Sequence, residues 1–420
     1  MPNNTVSSKN FILVAIGRIV SAFGNQILRY ALPLYLLIQT GSSAMFGSIM
    51  AVSFVPMILL FPIGGIIADR MNKRNIMLVM DLSTAVLISV FCLLSEKVAV
   101  VPLMAITMIV LYGLDGADRP AVKASIPMLI DGKHIAKANA IIDMVDSTAS
   151  MAGPVIGGIC FTALGLQPIL YISIGCFFAS VILDAFIKIP FEKRRVNGNI
   201  LITGIGDLRE SFRFMLKERP VLWKISVVFA ASNLLLTALV LIGLPIIITQ
   251  RLGFAPDTAN RLYGYAQGVV AAGAILGGFF ASILLGKMTS KTGALMLMGC
   301  SLCVLISGVA LHIPAAPMTI YTVLIIACGL LLTIHTVFQI QMMTYLQILT
   351  PKNVVGKVIS CFMCVVMCTV PIGQAVYGFA FEHIGQGAYL LFYAAGAIMM
   401  GISLLTRRVF SGIDTLIQKG

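Results

Sequence analysis

Long apolar segments alternate with short polar ones along the whole chain. Each apolar segment has about 20 residues or more, which is the length that an α-helix needs to cross the hydrocarbon core of a bilayer. The pattern therefore predicts twelve transmembrane helices. Their expected bounds are 11–37, 43–68, 75–94, 98–127, 136–164, 168–189, 221–249, 262–285, 293–312, 318–349, 354–381 and 388–406.

The composition supports this prediction and excludes a soluble protein. Of the 420 residues, 59% are hydrophobic and 11% are charged, whereas a soluble domain carries roughly 25% charged residues. The net charge of +13 is explained by basic loops at a membrane rather than by nucleic-acid binding. We expect an all-α protein whose partners include the lipid bilayer but no nucleic acid.

The positions of the 29 Lys and Arg residues predict an orientation. If the N-terminus is cytoplasmic, most of them fall in inner loops and tails. The outer loops hold Lys97, Arg251 and Arg261, and the helices hold Arg18, Arg29, Arg119 and Lys123. Since basic residues collect on the cytoplasmic side, we expect both termini and the long polar segment 190–219 to lie inside.

The two halves of the chain share an internal repeat. LIDGKHIAKA at 129–138 aligns with LTPKNVVGKV at 349–358, and GGIIAD at 64–69 with GGFFAS at 277–282. Parallel repeats of this kind are found in transporters built from two six-helix halves. The predicted domains are an N-terminal half (1–189), a cytoplasmic connector (190–219) and a C-terminal half (220–420).

Charged residues lie inside the predicted fourth and fifth helices, where a charge at mid-membrane costs about 2.5–3.5 kcal/mol. Asp115 and Arg119 are four residues apart and can pair on one helical face. The acids in this region outnumber the bases that we expect to reach them, Arg18, Arg119 and Lys123, by one. A carboxylate without a partner can take up and release protons, and we expect Asp115, then Asp146, to be that group. The proton-coupling candidates are Asp115, Asp118, Arg119, Asp143 and Asp146.

Other polar residues are candidates for a substrate cavity. Arg18 and Arg29 are about three turns apart on the first helix and share a face. Positive charge at the cavity favours neutral, zwitterionic or partly anionic substrates with an apolar body. His335 is either a packing histidine or a titrating one. The cavity candidates are Arg18, Asn25, Arg29, Lys123, His335 and Gln339.

Several kinds of site are not expected. All nine cysteines fall within apolar segments and are interpreted as packing residues, so neither a metal nor a cofactor is predicted. Asp81 and Asp184, near the cytoplasmic ends of their helices, are expected to pair with bases of the loops. The sequence contains no HExxH, GxSxG or GxxxxGK[ST] motif, which argues against an enzyme and against a nucleotide-driven pump.

Two motifs resemble signatures of the major facilitator superfamily. GGIIADRMNKR resembles the loop between the second and third helices, with Asn72 where the family usually has glycine. The resemblance implies a gating loop formed by Gly65, Asp69, Arg70, Lys73 and Arg74. The antiporter-type helix bend of the family is matched by Gly153, Pro154, Gly157 and Gly158. The implied fold has two pseudo-symmetric halves of six helices, with helices 1, 4, 7 and 10 around a central cavity.

Longer stretches resemble one branch of this superfamily. AKANAIID, VPIGQAVYGF and ERPVLWKI are similar to the macrolide-efflux branch, which exports drugs and siderophore-type compounds from bacteria. This resemblance implies a monomeric, proton-coupled exporter of amphipathic small molecules in the bacterial cytoplasmic membrane, working by alternating access. Arg119 follows Gly113 and Gly116, so the drug-exporter motif of the fourth helix is displaced.

SAFGNQ and RPAVKASI also resemble bacterial lysophospholipid flippases, and a lipid flippase is the alternative function. A non-transporting receptor or an integral membrane enzyme is the alternative from a different class.

Overall fold

The computed structural model describes residues 9–130, 134–189, 212–284, 289–351, 354–385 and 387–410. These residues are almost entirely helical. Most of the predicted connector, residues 190–211, lies outside the described residues.

Twelve helices among the described residues are long and apolar enough to cross a membrane, which confirms the predicted number. The largest shift from the predicted bounds is at the start of α8, where Pro256 and Asp257 occupy the first turn, positions that favour both residues. The helices are α1 (Lys9–Thr40), α2 (Ser43–Arg70), α3 (Lys73–Leu94), α4 (Val100–Leu129), α5 (Ile135–Leu164), α6 (Leu166–Phe186), α7 (Pro220–Arg251), α8 (Pro256–Leu284), α9 (Ser290–His312), α10 (Pro317–Leu349), α11 (Val355–His383) and α12 (Ala388–Phe410).

The outward faces of the helices are apolar. Leu59 of α2, Ile106 of α4 and Phe279 of α8 each leave 60% of their surface exposed. Lipid accommodates such a surface, whereas water would not. Charged residues such as Arg18 and Asp115 are buried instead, so the polar chemistry of this multi-pass membrane protein lies between its helices.

The chain forms two compact units. The first contains Met1–Arg195 and Ala255–Gly268, and the second contains Val196–Phe254 and Val269–Gly420. In the first unit α1 packs on α5 and α6, α2 on α4, and α3 on α4 and α6. In the second unit α7 packs on α11 and α12, and α9 on α10 and α12, while Gly273 of α8 lies against Gly329 of α10. The same pairs recur when each helix number is raised by six, as the internal repeat predicts.

The first half of α8 groups with the first unit, although the predicted domains place it in the C-terminal half. A Cβ atom on Gly264 would lie 2.8 Å from the carbonyl oxygen of Pro154 and 3.2 Å from the Cα of Gly158. Glycine at this crossing lets the two backbones touch. The predicted boundary between the halves stays a prediction, because the connector lies outside the described residues.

Candidate functional site

A network of ion pairs joins α1, α4 and α5 within the first unit. Arg18 of α1 lies at its centre. Its Nε and Nη2 donate to the two carboxylate oxygens of Asp146 on α5 at 2.7 and 3.1 Å, and its Nη1 donates to Asp118 on α4 at 3.0 Å. One guanidinium therefore neutralises part of the charge of both acids.

Asp115 of α4 forms the second part of the network. Its Oδ2 accepts hydrogen bonds from Arg119 Nε and from Arg29 Nη1, both at 2.9 Å. Its Oδ1 lies 3.4 Å from the Nδ2 of Asn25. The predicted pair with Arg119 is confirmed, but the expectation that Asp115 lacks a full partner is wrong, because Arg29 also reaches it. Two arginines therefore bind Asp115.

Arg29 lies behind Asp115. Its guanidinium carbon is 3.9 Å from the centre of the Tyr112 ring, a distance that favours a cation–π interaction, and Nη2 is 3.9 Å from the sulfur of Met57. These contacts enclose the side chain, and it lines neither of the two cavities described next. Arg29 therefore supports Asp115 in this structure, and its role as a cavity residue stays a prediction.

Two adjoining cavities open beside the network, with volumes of about 220 and 460 Å³. They share Arg18, Arg119, Asp146 and Ser147. The smaller is also lined by Ala22, Asn25, Gln26, Asp115 and Ser150, and the larger by Pro120, Val122, Lys123, Ile142 and Asp143. The larger one falls in the range of roughly 300–1,000 Å³ that is usual for small-molecule sites.

Three polar lining residues, Gln26, Ser147 and Ser150, were not predicted from the sequence. Ser147 and Ser150 each follow an aspartate by four residues, which places them on the same face of α5. That spacing could have identified them. Gln26 carries no comparable signal, because its place on the wall depends on how α1 is rotated against α5.

Lys123 and Asp143 form a peripheral ion pair. Lys123 Nζ lies 3.2 Å from Asp143 Oδ1, and the side chains are 59% and 58% exposed. The pair lines the larger cavity. Among the described residues, it forms no ion pair with the network around Arg18. At this exposure an ion pair contributes little to stability.

His335 and Gln339 lie in the second unit on α10. His335 is buried, and its Nε2 is 3.0 Å from Ser232 Oγ of α7. Gln339 Nε2 donates to Asn233 Oδ1 at 3.2 Å. Asn233 begins a π-helical turn of α7, a feature that is frequent at functional sites. These bonds fit a packing role for His335, and a role in substrate binding stays a prediction for both residues.

The predicted gating loop is described only in part. The side chains of Gly65, Asp69 and Arg70 lie outside the described residues. Lys73 is buried. Arg74 donates from Nε to the backbone oxygen of Asp184 at 3.1 Å and from Nη2 to that of Ala185. Its guanidinium therefore binds the last turn of α6, and the gating role of the loop stays a prediction.

Asp184 does not pair as the sequence suggested. Its carboxylate oxygens are buried and accept no hydrogen bond from any described residue. Arg74 binds the backbone of Asp184 rather than its side chain. The expectation of pairing with a loop base is wrong for Asp184, because the base that approaches it binds helix-end carbonyls.

The helix bend of α5 is a packing surface. Gly157 faces the ring of Tyr30, since a Cβ atom at this glycine would lie 3.1 Å from the ring, and Gly158 faces Gly264 of α8. Tyr30 donates to the backbone oxygen of Asn260 at 2.6 Å and stacks on Tyr263. The small residues Gly153 and Pro154 continue the same face. An additional role in antiport stays a prediction.

No three His, Cys, Asp or Glu side chains come together as metal ligands in the part of the chain that the structure describes. The charges of the network instead balance one another, since Asp115, Asp118 and Asp146 face Arg18, Arg29 and Arg119. Such a balanced set can rearrange when a proton or a charged ligand enters.

Comparisons with known proteins agree with this architecture. Residues 14–372 match the profile of the Major Facilitator Superfamily. The transporter YfiS of Bacillus subtilis is 24% identical over 95% of this chain and 93% of its own. Macrolide efflux protein A of Streptococcus pyogenes is 21% identical over 94% of each chain, which supports the resemblance to the macrolide-efflux branch.

Solved structures give the same result for the fold. A crystal structure of the nucleoside transporter NupG superposes with a TM-score of 0.75 at 12% identity, covering 96% of this chain and 100% of that one. The profile match spans most of the chain, and the helix count and repeat are those of the fold. The chain belongs to the Major Facilitator Superfamily.

Proposed function

We propose that this protein is a secondary active exporter of amphipathic small molecules, driven by proton antiport across a bacterial cytoplasmic membrane. Its termini face the cytoplasm, in line with the distribution of Lys and Arg. The cavities of the first unit bind the substrate, and the ion-pair network around Arg18 responds to protonation during alternating access.

The observation that carries this proposal is that one edge of the Arg119 guanidinium, on the cavity wall, is free to bind a ligand. The Nε of Arg119 donates a hydrogen bond to Asp115. Among the described residues, Nη1 and Nη2 of Arg119 have no hydrogen-bond partner. The side chain is 36% exposed. A guanidinium edge offers parallel donors to a carboxylate or phosphate. A substrate with an anionic or zwitterionic end therefore suits this position.

The apolar part of the substrate is accommodated beside Arg119. Pro120, Val122 and Ile142 line the larger cavity next to it. An apolar wall with a few oriented polar groups is the usual composition of a small-molecule site. Together these features favour an amphipathic molecule over a sugar-like or fully apolar one.

The direction of transport rests on the relatives. Macrolide efflux protein A aligns with nearly the full length of this chain, so export is the direction we propose. Carboxylates on α4 and α5 that pair with arginines supply groups able to exchange protons. This supports the proton as the coupling ion.

The test is flux into or out of liposomes that contain the purified protein and carry an imposed pH gradient. A panel of anionic, zwitterionic, neutral and cationic amphipaths, with one lysophospholipid, is offered. Anionic or zwitterionic compounds should move, and a protonophore should stop their accumulation. Movement of the lysophospholipid alone would favour the flippase instead.

Two variants of α4 form a matched pair for this assay. Arg119→Gln should raise KM for anionic compounds more than for neutral ones. Arg119→Lys should keep only part of the wild-type affinity for anionic compounds, because lysine lacks the two parallel donors of a guanidinium. Lys123→Gln removes a base from the same cavity and should have a smaller effect, since Asp143 already binds it. Transport that ignores the pH gradient, or equal effects of both variants on anionic compounds, would contradict the proposal.

A further inference from the structure

Asp184, in the last turn of α6, is an acid that binds no cationic side chain among the described residues. The residue is 1% exposed, and among the described residues neither carboxylate oxygen has a hydrogen-bond partner. The side chains of Asp115 and Asp118 are 3% and 13% exposed, and each binds at least one arginine. Asp184 and Asp81 are therefore the two buried acids in the described part of the first unit that bind no arginine.

The surroundings of Asp184 add negative rather than positive charge. α6 packs against α1, α3 and α5. The charged side chains near Asp184 include two acids, Asp81 of α3 and Asp118 of α4, and one base, Arg74 of α3. Arg74 directs its hydrogen bonds to the carbonyl oxygens of residues 184 and 185.

Asp81 of α3 is a second buried acid near Asp184. It is 8% exposed, and the charged side chains near it are Asp184 of α6, Asp118 of α4 and Arg18 of α1. Arg18 is already bound to Asp118 and Asp146. The Ser180 hydroxyl lies beside Asp81 and donates to the backbone of Gly17.

Gly17 closes this site on the side of α1. A Cβ atom at Gly17 would lie 3.5 Å from Asp184 Oδ1 and 3.5 Å from Ser180 Oγ. The backbone of α1 therefore covers the carboxyl group directly, one residue before Arg18. This position leaves little space for a hydrated counter-ion next to the Asp184 oxygens.

A buried carboxylate that lacks a partner is costly, and two that face each other cannot both remain ionised cheaply. We propose that Asp184 and Asp81 form a carboxyl pair that holds a proton, separate from the ion pairs that line the cavity. The proton sits on a carboxyl oxygen of one acid as an O–H group, and the other acid belongs to the neighbouring helix, since α3 packs on α6.

The pair is placed to act on the cavity through Asp118, which faces both acids. When the O–H bond breaks and the proton passes to water, an additional negative charge remains beside Asp118. This charge attracts Arg18 and weakens its bonds to Asp146, which lines both cavities. This coupling role rests on the proposed function, whereas the bound proton does not.

The bound proton is tested without transport. Infrared spectra of the purified full-length protein in lipid should contain a protonated-carboxyl band at neutral pH that Asp184→Asn removes and Asp81→Asn shifts or removes. In the wild type, a hydrophobic carbodiimide should modify Asp184, as detected by peptide mass spectrometry. Asp143→Asn, which alters an exposed acid, is the matched control and should leave the band unchanged. A wild type with no such band and no modification of Asp184 would overturn the proposal.

The coupling role is tested in liposomes with the substrate that the panel identifies. Asp184→Asn should lose accumulation driven by the pH gradient but keep downhill exchange. If the band is present but wild-type transport ignores the gradient, the proposed function fails and the proton site stands. If wild-type transport is proton-driven and both asparagine variants still accumulate substrate, the coupling role of the pair fails.

Discussion

Arg18 on α1 binds Asp146 on α5 through two parallel hydrogen bonds, from Nε to Oδ1 at 2.7 Å and from Nη2 to Oδ2 at 3.1 Å. The same guanidinium binds Asp118 on α4. One side chain thus links three helices that line the cavities, and its removal would leave two acids without their cation.

We expect Arg18→Gln to lower the free energy of unfolding by about 3–5 kcal/mol, the usual cost of removing one partner of a buried pair. Arg18→Lys should lower the free energy of unfolding by less, since lysine keeps the positive charge but lacks the parallel donors of the guanidinium. Thermal unfolding of the purified protein in detergent measures both. The double variant Arg18→Gln with Asp146→Asn should be more stable than Arg18→Gln alone, and a further loss would contradict the assignment.

Asp115→Asn should impair transport with or without a pH gradient. The amide would leave Arg29 and Arg119 without their shared anion, and the buried Arg29 would bear most of the cost. Exchange and gradient-driven uptake should therefore fall together. If exchange stayed at the wild-type rate while accumulation was lost, Asp115 would be a coupling acid after all.

The exposed pair of Lys123 and Asp143 should be dispensable for stability. Pairs at this exposure contribute about 0–1 kcal/mol, and salt screens them. We expect Lys123→Gln and Asp143→Asn each to change the melting temperature only slightly, and less at high salt. A loss as large as that of Arg18→Gln would mean that the pair is buried in the functional state.

Two glycines of α8 should respond in opposite ways to the same substitution. Gly264→Ala places a methyl group 2.8 Å from the Pro154 carbonyl oxygen, and such overpacking costs about 1–3 kcal/mol. At Gly278 no described atom lies within 4 Å of the added Cβ, so Gly278→Ala should be neutral or stabilise by up to about 1 kcal/mol. Melting temperatures decide this, and equal effects would contradict the close packing of α5 and α8.

Substitutions at two charged residues of the gating loop, Arg74 and Asp69, should have different effects. Arg74→Gln removes donors from the last turn of α6 and should lower stability. Asp69→Asn should instead change the balance of conformations and lower transport at normal expression. Distances between spin labels on the loop and on the equivalent loop of the second unit measure that balance, and unchanged distances would argue against a gating role of the loop.

The sequence by itself determined the number of helices, the repeat and the family. These follow from local rules, because the length of an apolar run sets whether a helix can span a bilayer. The pair of Asp115 and Arg119 could also be predicted, since four residues bring two side chains onto one face of any helix.

Only the tertiary structure decided which charges meet across helices. Arg29 reaches Asp115 from 86 residues away, and Arg18 binds acids 100 and 128 residues away. These contacts depend on the rotation of each helix about its own axis and on its depth, which neighbouring helices set through packing. For the same reason a count of acids and bases selected Asp115 as the acid without a partner, whereas the structure leaves Asp184 in that position.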